Sequence, residues 1–236
     1  MIISFEGIQG MGKTTAAVAI AYEEHLATGK KVISNTHLNF DYQHFDLAWF
    51  LEHLVDHEME DCLLVLDEMY QLADSRSSAT KLNKLVTYFV VQARKRNVDW
   101  YVCTHHIDHI DLRLRRAIDI RGSCRGHEER PCKACRCRAC GGVGSIMGGA
   151  CEVCGGVGGT GQVGGQPCER CLGYGKIGWF RVNFLDRRMR KRYPSDVLPY
   201  FNGPILGNKY WHLFNTRERI PMQARILQGI ETLEVI

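Results

Sequence analysis

The chain has 236 residues and a mass of 26.8 kDa; 45% of the residues are hydrophobic, 24% are charged, and the formal net charge is +4. That length suits one generous domain plus a small module, the composition excludes an intrinsically disordered chain, and the mild charge names no partner by itself. No run reaches the ~18 uncharged apolar residues of a membrane helix, so no integral membrane segment is expected, and MIISFEG at the start has neither the basic region nor the apolar stretch of a secretory signal.

In chain order, Ile2 to Phe5 is a short apolar run, followed by a Gly-rich turn and a helical pattern from about Thr14 to Ala27. Gly29 ends that helix, and Lys30 and Lys31 sit near its negative end. Lys31 to Ser34 reads as a second strand. Asp46 can cap a helix with Leu47, Phe50, Leu51, Leu54 and Val55 on one face. Leu63 to Leu66 is a continuous apolar run, the mark of a parallel strand covered on both faces. A helix is expected over Leu82 to Arg96, a strand over Val98 to Cys103, and a short helix over Ile110 to Arg116. Strands alternating with helices in this way predict an α/β fold with a mainly parallel central sheet. Ile118 to Cys124 and Trp179 to Phe184 read as two strands of a hairpin that carries an insert at its tip. Tyr210 to Phe214 reads as a closing strand and the end as a helix or tail. The division expected is therefore a core over 1–125, an insert over 126–178, and a return strand and C-terminal part over 179–236.

The insert stands apart in composition. Of the 11 cysteines, eight lie between Cys132 and Cys171, and 17 of the 24 glycines lie between Gly122 and Gly178. The eight form four Cys-x-x-Cys pairs: Cys132/Cys135, Cys137/Cys140, Cys151/Cys154 and Cys168/Cys171. Each pair makes a tight knuckle aiming two thiolates at one metal, so four pairs predict two closed, tetrahedral Cys₄ zinc sites. Eight thiolates and two Zn²⁺ would bring the formal charge from +4 to about 0. A segment with so few large apolar residues cannot bury a core and would be held together by the metal.

Gly7-Ile8-Gln9-Gly10-Met11-Gly12-Lys13-Thr14 fits G-x-x-x-x-G-K-[ST] between a strand and a helix, and Thr15 follows. The loop's N–H groups would wrap the phosphates of ATP, Lys13 would reach the β/γ-phosphates, and the Thr14 hydroxyl would ligate Mg²⁺. Asp67, ending the apolar run, would also hold Mg²⁺, and Glu68 would polarise an attacking water. Downstream, a polar residue after Cys103 would face the γ-phosphate; His105 is the preferred sensor, with Thr104 and His106 as alternatives. Arg113, Arg115 or Arg116 could serve a neighbouring subunit as an arginine finger, with Arg76, Arg94 and Arg96 as weaker candidates.

Several of these segments, in order, resemble the FtsK–HerA branch of P-loop ATPases, and within it the viral genome-packaging ATPases and the related Zot-like phage assembly proteins. They are Gly7 to Thr15, Leu64 to Glu68 continuing to Asp74-Ser75-Arg76, Ala93 to Asn97, Tyr101 to His105, Ile110 to Arg115, and Tyr210 to Glu218. The branch usually has Gln where His105 stands, and imidazole can still donate a hydrogen bond. The resemblance implies a RecA/ASCE-like P-loop NTPase that works as a homo-oligomeric ring, a hexamer or pentamer. It further implies translocation of double-stranded DNA into a capsid, from the host cytoplasm or at a virion or procapsid vertex. A Zot-like assembly or export ATPase is the first alternative, although such proteins usually carry a transmembrane segment. A nucleotide-switched interaction protein is the second. Phe5 to Thr15 is also similar to thymidylate kinase, but Asp67-Glu68 on a buried strand departs from that pattern. Zinc-bearing thymidine kinase has four ligand cysteines, not eight.

The cysteine repeats resemble the zinc domain of DnaJ-type chaperones. That resemblance implies that the outer pairs, Cys132/Cys135 and Cys168/Cys171, share one zinc and the inner pairs the other. It also suggests docking to a capsid or portal-like protein. Arg125, Arg130, Lys133, Arg136, Arg138 and Arg170 could instead touch DNA phosphates, and Arg187 to Arg192 is the densest basic run.

Overall fold

A computed structural model of the chain describes residues 1–45, 50, 59–68, 81–147, 149–186 and 205–214. The expected helix after Asp46, Arg76, the basic run 187–192 and the C-terminal residues 215–236 lie outside the described residues.

The strands are β1 (Ile2–Glu6), β2 (Lys31–Ser34), β3 (Gln43–His44), β4 (Cys62–Leu66), β5 (Asp99–Thr104) and β6 (Ile120–Pro131), then the short β7 (Ser145–Ile146), β8 (Gly149–Ala150), β9 (Gln162–Val163) and β10 (Gln166–Pro167), and finally β11 (Lys176–Asp186) and β12 (Ile205–Leu206). The helices are α1 (Lys13–Thr28), α2 (Lys81–Ala93) and α3 (Leu112–Ala117). Eight strands form one sheet in the order β12-β11-β6-β1-β5-β4-β2-β3. From β6 to β3 every pairing is parallel; β11 and β12 extend the β6 edge antiparallel. The α/β class with a mainly parallel sheet is thus what the alternating pattern predicted.

The period-two alternation of each strand feeds two cores. On one face Ile33, Leu64, Leu66, Trp100 and Val102 pack with Val86, Phe89 and Val90 of α2 and Leu114 of α3. On the other, Ile3, Phe5, Val32, Leu63, Val65, Tyr101 and Cys103 meet the Ala-rich face of α1. Small residues at Ala16, Ala17, Ala19 and Ala21 let α1 lie close to the sheet, and all are buried. β4 is buried at every position, as its unbroken apolar run requires. Each such Leu or Ile contributes about 1.5–3 kcal/mol by leaving water.

Several elements differ from the sequence reading: β6 spans Ile120–Pro131 rather than Ile118 to Cys124, and β11 spans Lys176–Asp186 rather than Trp179 to Phe184. β3 adds a two-residue parallel strand beyond β2 that no sequence pattern announced. Helix α2 stops at Ala93 rather than Arg96, because Asn97 takes a left-handed φ of 54° to turn the chain into β5. Tyr210 to Phe214 is not a strand. It follows the turn Gly207–Lys209 as a second 3₁₀ turn, Trp211–Leu213, and Phe214 makes only a single bridge to Leu38. The physical reason is the spacing of the buried residues: Tyr210 and Leu213, three apart, sit together in the α1 core while His212 faces out.

β6 and β11 form a long antiparallel hairpin that runs from Ile120↔Asp186 to Pro131↔Lys176, with one register shift between Phe180 and Val182. The four knuckles and two small hairpins, β7/β8 and β9/β10, fill the span between its ends.

Candidate functional site

At the C-terminal ends of the parallel strands, the loop Gly7–Gly12 leaves β1 and enters α1. Gly12 is the N-cap of α1 at φ 81°, a left-handed conformation that favours glycine. Gly7 lies so close to β6 that a side chain there would come 2.8 Å from the Cys124 carbonyl oxygen. Gln9 and Gly10 are exposed on the outer rim of the loop, Met11 leans on the α1 core, and Thr15 is buried. The Lys13 side chain folds back over the loop and donates to the Ile8 carbonyl at 3.3 Å. With α1 beginning here, the loop presents backbone N–H groups and a buried cation together, a built anion cradle.

β5 lies between β1 and β4, so the acid-bearing strand is one strand removed from the loop. Even so, Thr14 Oγ1 donates to Asp67 Oδ2 at 2.7 Å, which joins the two proposed Mg²⁺ ligands. Burial pushes the Asp67 carboxyl above its usual range, and the Thr14 hydroxyl opposes that shift. A half-buried carboxylate beside a hydroxyl at a cationic loop is a donor set that fits a hard divalent cation. Thr14 and Asp67 would hold Mg²⁺ there, and the ion would supply positive charge against the phosphates. Glu68 follows at φ 52°, an uncommon conformation for a side-chain-bearing residue and one concentrated at functional sites. Its Oε1 lies 3.5 Å from His105 Nε2, and its Oε2 is buried with no hydrogen-bond partner among the described residues. That oxygen offers an acceptor to a water.

Of the three candidate sensors, the structure brings His105 to Glu68. Thr104 is buried and donates to the His106 carbonyl at 3.1 Å, and His106 is exposed and caps the 3₁₀ turn Ile107–His109 through the Asp108 N–H. Arg113, Arg115 and Arg116 all lie on α3, which Asp111 caps by accepting from the Arg113 N–H at 2.9 Å. Arg115 is ion-paired with Asp108 of the same chain, whereas Arg113 and Arg116 are exposed. Arg96 lies over the Phe89 ring at 5.6 Å, on the side of α2.

Sequence reasoning missed Asn35. At the end of β2 it donates from Nδ2 to the Asp67 carbonyl and accepts from the Asp67 N–H on Oδ1, both at 2.8 Å. A side-chain amide thus replaces a strand partner for the peptide of Asp67 and fixes where the carboxylate points. A lone Asn after a strand carries no signal of this. It also missed Phe180, whose ring a side chain at Gly12 would overlap.

The cysteines converge on two points. Cys132, Cys135, Cys168 and Cys171 form one group and Cys137, Cys140, Cys151 and Cys154 the other, each with its sulfurs within 4.8 Å of one another. These are the outer and inner pairings that the DnaJ-like repeats imply. Sulfur–sulfur distances of 3.9, 3.6, 3.9 and 3.7 Å are too long for disulfides. A tetrahedron with Zn–S of about 2.3 Å has edges of about 3.8 Å, so both quartets fit Zn²⁺. Backbone N–H groups of Gly144, Gly158 and Gly175 point at Cys140, Cys154 and Cys171 sulfurs at 3.2–3.3 Å, as suits thiolate acceptors. Four sulfurs would complete a tetrahedral shell, so a zinc ion held there would have no open position. Among the candidate DNA contacts, Arg136 donates to the Gly141 carbonyl inside a knuckle turn and Arg130 lies over the Trp179 ring at 5.8 Å.

A phosphate loop on β1, acids leaving β4, and a polar strand end between them are the working parts of a P-loop NTPase, carried on the α/β sheet that such proteins share. The model of the ATPase family associated with various cellular activities (AAA) matches residues 3–124, and the chain belongs to that family. Among solved structures it is similar to the N-terminal domain of zonular occludens toxin from Neisseria meningitidis, at 18% identity over 52% of this chain and 75% of that one, with a TM-score of 0.44. It is also similar to the genome packaging NTPase B204 from Sulfolobus turreted icosahedral virus 2 in complex with ATP-gammaS, at 13% identity over 52% and 74%, with a TM-score of 0.39. The same NTPase in complex with sulfate gives 13% identity over 52% and 72%, with a TM-score of 0.41. No curated protein matches the chain. No helix among the described residues is long and apolar enough to cross a membrane.

Proposed function

We propose that the chain is an ATP-hydrolysing motor that translocates double-stranded DNA, most specifically a viral genome-packaging ATPase of the FtsK–HerA branch. The observation that carries the hydrolytic part is the cluster at the strand ends: Thr14 on Asp67, and Glu68 beside His105 with one carboxylate oxygen unpartnered among the described residues. Mg·ATP binds on Gly7, Gln9, Gly10, Met11, Gly12, Lys13, Thr14 and Thr15, with Thr14 and Asp67 as the Mg²⁺ ligands. Glu68 takes the proton of the attacking water, His105 donates to the γ-phosphate, and Lys13 holds charge on the transferred group. Arg113, Arg115 or Arg116, all on α3, completes the site of a neighbour in a homo-oligomeric ring.

The DNA-moving part rests on the ordered run of FtsK–HerA-like segments together with the exposed arginines. The core over 1–125 carries the chemistry. The segment over 126–178 binds two Zn²⁺ and docks a capsid or portal-like protein, and 179–236 returns the chain. The motor works in the host cytoplasm or at a procapsid vertex.

The test is ATP turnover by the purified chain with and without double-stranded DNA, at low and moderate salt. Stimulation that weakens as salt rises is the expected result, because phosphate contacts release counterions. Turnover indifferent to DNA overturns the packaging motor and favours a Zot-like assembly ATPase, and acceleration by an added nucleoside favours a kinase.

A further inference from the structure

Two parts of the chain that look unrelated in sequence, the phosphate loop and the outer cysteine quartet, are joined by a short series of packed groups. Phe180 of β11 is buried at 4% exposure. Its ring lies on the α1 N-cap: any side chain at Gly12 would overlap its Cδ1 edge. Its opposite edge lies on Gly207, where a side chain would come within 2.6 Å of Cε2. The ring is thus wedged between two glycines that have no Cβ to yield. The next residue along, Asn208, is fully buried. It accepts from the Gly178 N–H at 2.7 Å, and its Nδ2 donates to the Lys176 carbonyl at 2.6 Å and to the Cys171 carbonyl at 3.1 Å. Cys171 belongs to the outer quartet. The same turn is tied to α1 from the other side, where the Tyr210 hydroxyl donates to Glu23 at 2.8 Å.

Two further features suit this series to transmit position. The register shift in the β6–β11 hairpin falls between Phe180 and Val182, where β6 carries one extra residue between Cys124 and His127, so the regular pairing is interrupted beside the ring. Packed interiors respond to small displacements by moving their neighbours rather than by absorbing them. Gly12, Lys13 and Thr14 are consecutive, so a shift of the Phe180 ring bears on the cap, on the cation and on the hydroxyl that meets Asp67.

We propose that Phe180 is a positioning residue for the bound nucleotide, and that the outer cysteine quartet, through Asn208, holds Phe180 against the phosphate loop, so that integrity of that quartet sets nucleotide affinity. The proposal rests on nucleotide binding at the phosphate loop and on zinc at the outer quartet.

The experiment measures affinity for a fluorescent ADP analogue, with kcat and KM for ATP, zinc content and thermal stability, on the full chain and three variants. Wild-type binding of the analogue and its zinc content are read first, and failure of either removes the underlying reading rather than the coupling. Phe180→Leu keeps an apolar group but loses the flat ring, and is expected to raise Kd and KM by about five- to tenfold while kcat changes less than about twofold. Phe180→Tyr keeps the ring and is expected to retain affinity. Asn208→Asp keeps the acceptor for Gly178 but loses both donors, including the one to Cys171, and is expected to reproduce the Phe180→Leu change with zinc still bound. If Leu and Asp variants lose thermal stability but keep wild-type Kd, the residues merely support the fold and the proposal is overturned. Should either variant fail to fold, hydrogen exchange on the wild type decides: ADP is expected to slow exchange at Gly178 to Val182, and chelation of zinc to speed it at Gly12 to Thr14. No change at either segment overturns the coupling.

Discussion

At the scale of single residues, the site turns on two adjacent carboxylates in different surroundings. Asp67 is half-buried and held by Thr14 and Asn35, whereas Glu68 has one oxygen near His105 and one without a partner among the described residues. Glu68→Gln is expected to leave nucleotide binding within about twofold and to lower turnover by about 10²–10⁴-fold, read by steady-state kinetics beside a binding titration. A variant with full turnover would remove Glu68 from its role. Asp67 makes a prediction about pH. Its folded pKa lies above its unfolded value, so its burial favours the folded state in acid, and that contribution is lost as pH rises through the raised folded value. Above that value the metal-free protein buries a charge. Asp67→Asn is therefore expected to raise the melting temperature of the nucleotide-free protein at neutral pH and to abolish further stabilisation by Mg·ATP, measured by thermal unfolding with and without ligand.

At the scale of elements, the phosphate loop depends on its helix cap and on the strand behind it. Gly12→Ala would force a Cβ into left-handed backbone and into the Phe180 ring. It is expected to lower stability by at least about 1 kcal/mol and to weaken nucleotide binding, checked by denaturant unfolding and titration. Leu64, fully buried in the centre of β4, has no such tie to the nucleotide. Leu64→Ala is expected to lower stability by about 2–5 kcal/mol while the folded fraction keeps its nucleotide affinity. The difference between the two variants separates the loop's own geometry from general packing.

At the scale of the whole molecule, two kinds of core coexist. The sheet is held by apolar burial on both faces, whereas the cysteine module buries few large apolar side chains beyond its sulfurs. Strong chelation is expected to unfold the module while the sheet and α1 keep their far-ultraviolet circular dichroism, seen as a partial loss of signal and fast hydrogen exchange at the knuckles, with faster exchange in the core limited to the Gly12 to Thr14 segment that Phe180 contacts. Loss of the whole fold in one step would show that the core depends on the metal sites as well.

The elements that were readable from the sequence are those whose cause is local. The glycines and Lys13-Thr14 at the end of a strand, the unbroken run Leu63 to Leu66 and the Gly29 helix end each state their structure within a few residues, because backbone conformation and burial on both faces act over that range. The repeated Cys-x-x-Cys spacing likewise announced that eight thiols gather in quartets able to hold a metal, and the DnaJ-like resemblance implied the grouping that the sulfurs adopt. Tyr210 to Phe214 was misread as a strand because its side chains answer to α1, some 190 residues earlier in the chain, rather than to a neighbouring strand. Asn35 and Phe180 were silent for the same reason. Their roles are created by what faces them, the peptide of Asp67 and the Gly12 cap, and those partners come together only when the parallel order of the sheet sets β2 beside β4 and the hairpin returns β11 along β6. Local chemistry, readable residue by residue, determined that this chain cradles phosphate and gathers thiols. Long-range packing, which no short window of sequence records, decided which side chains hold that chemistry in position.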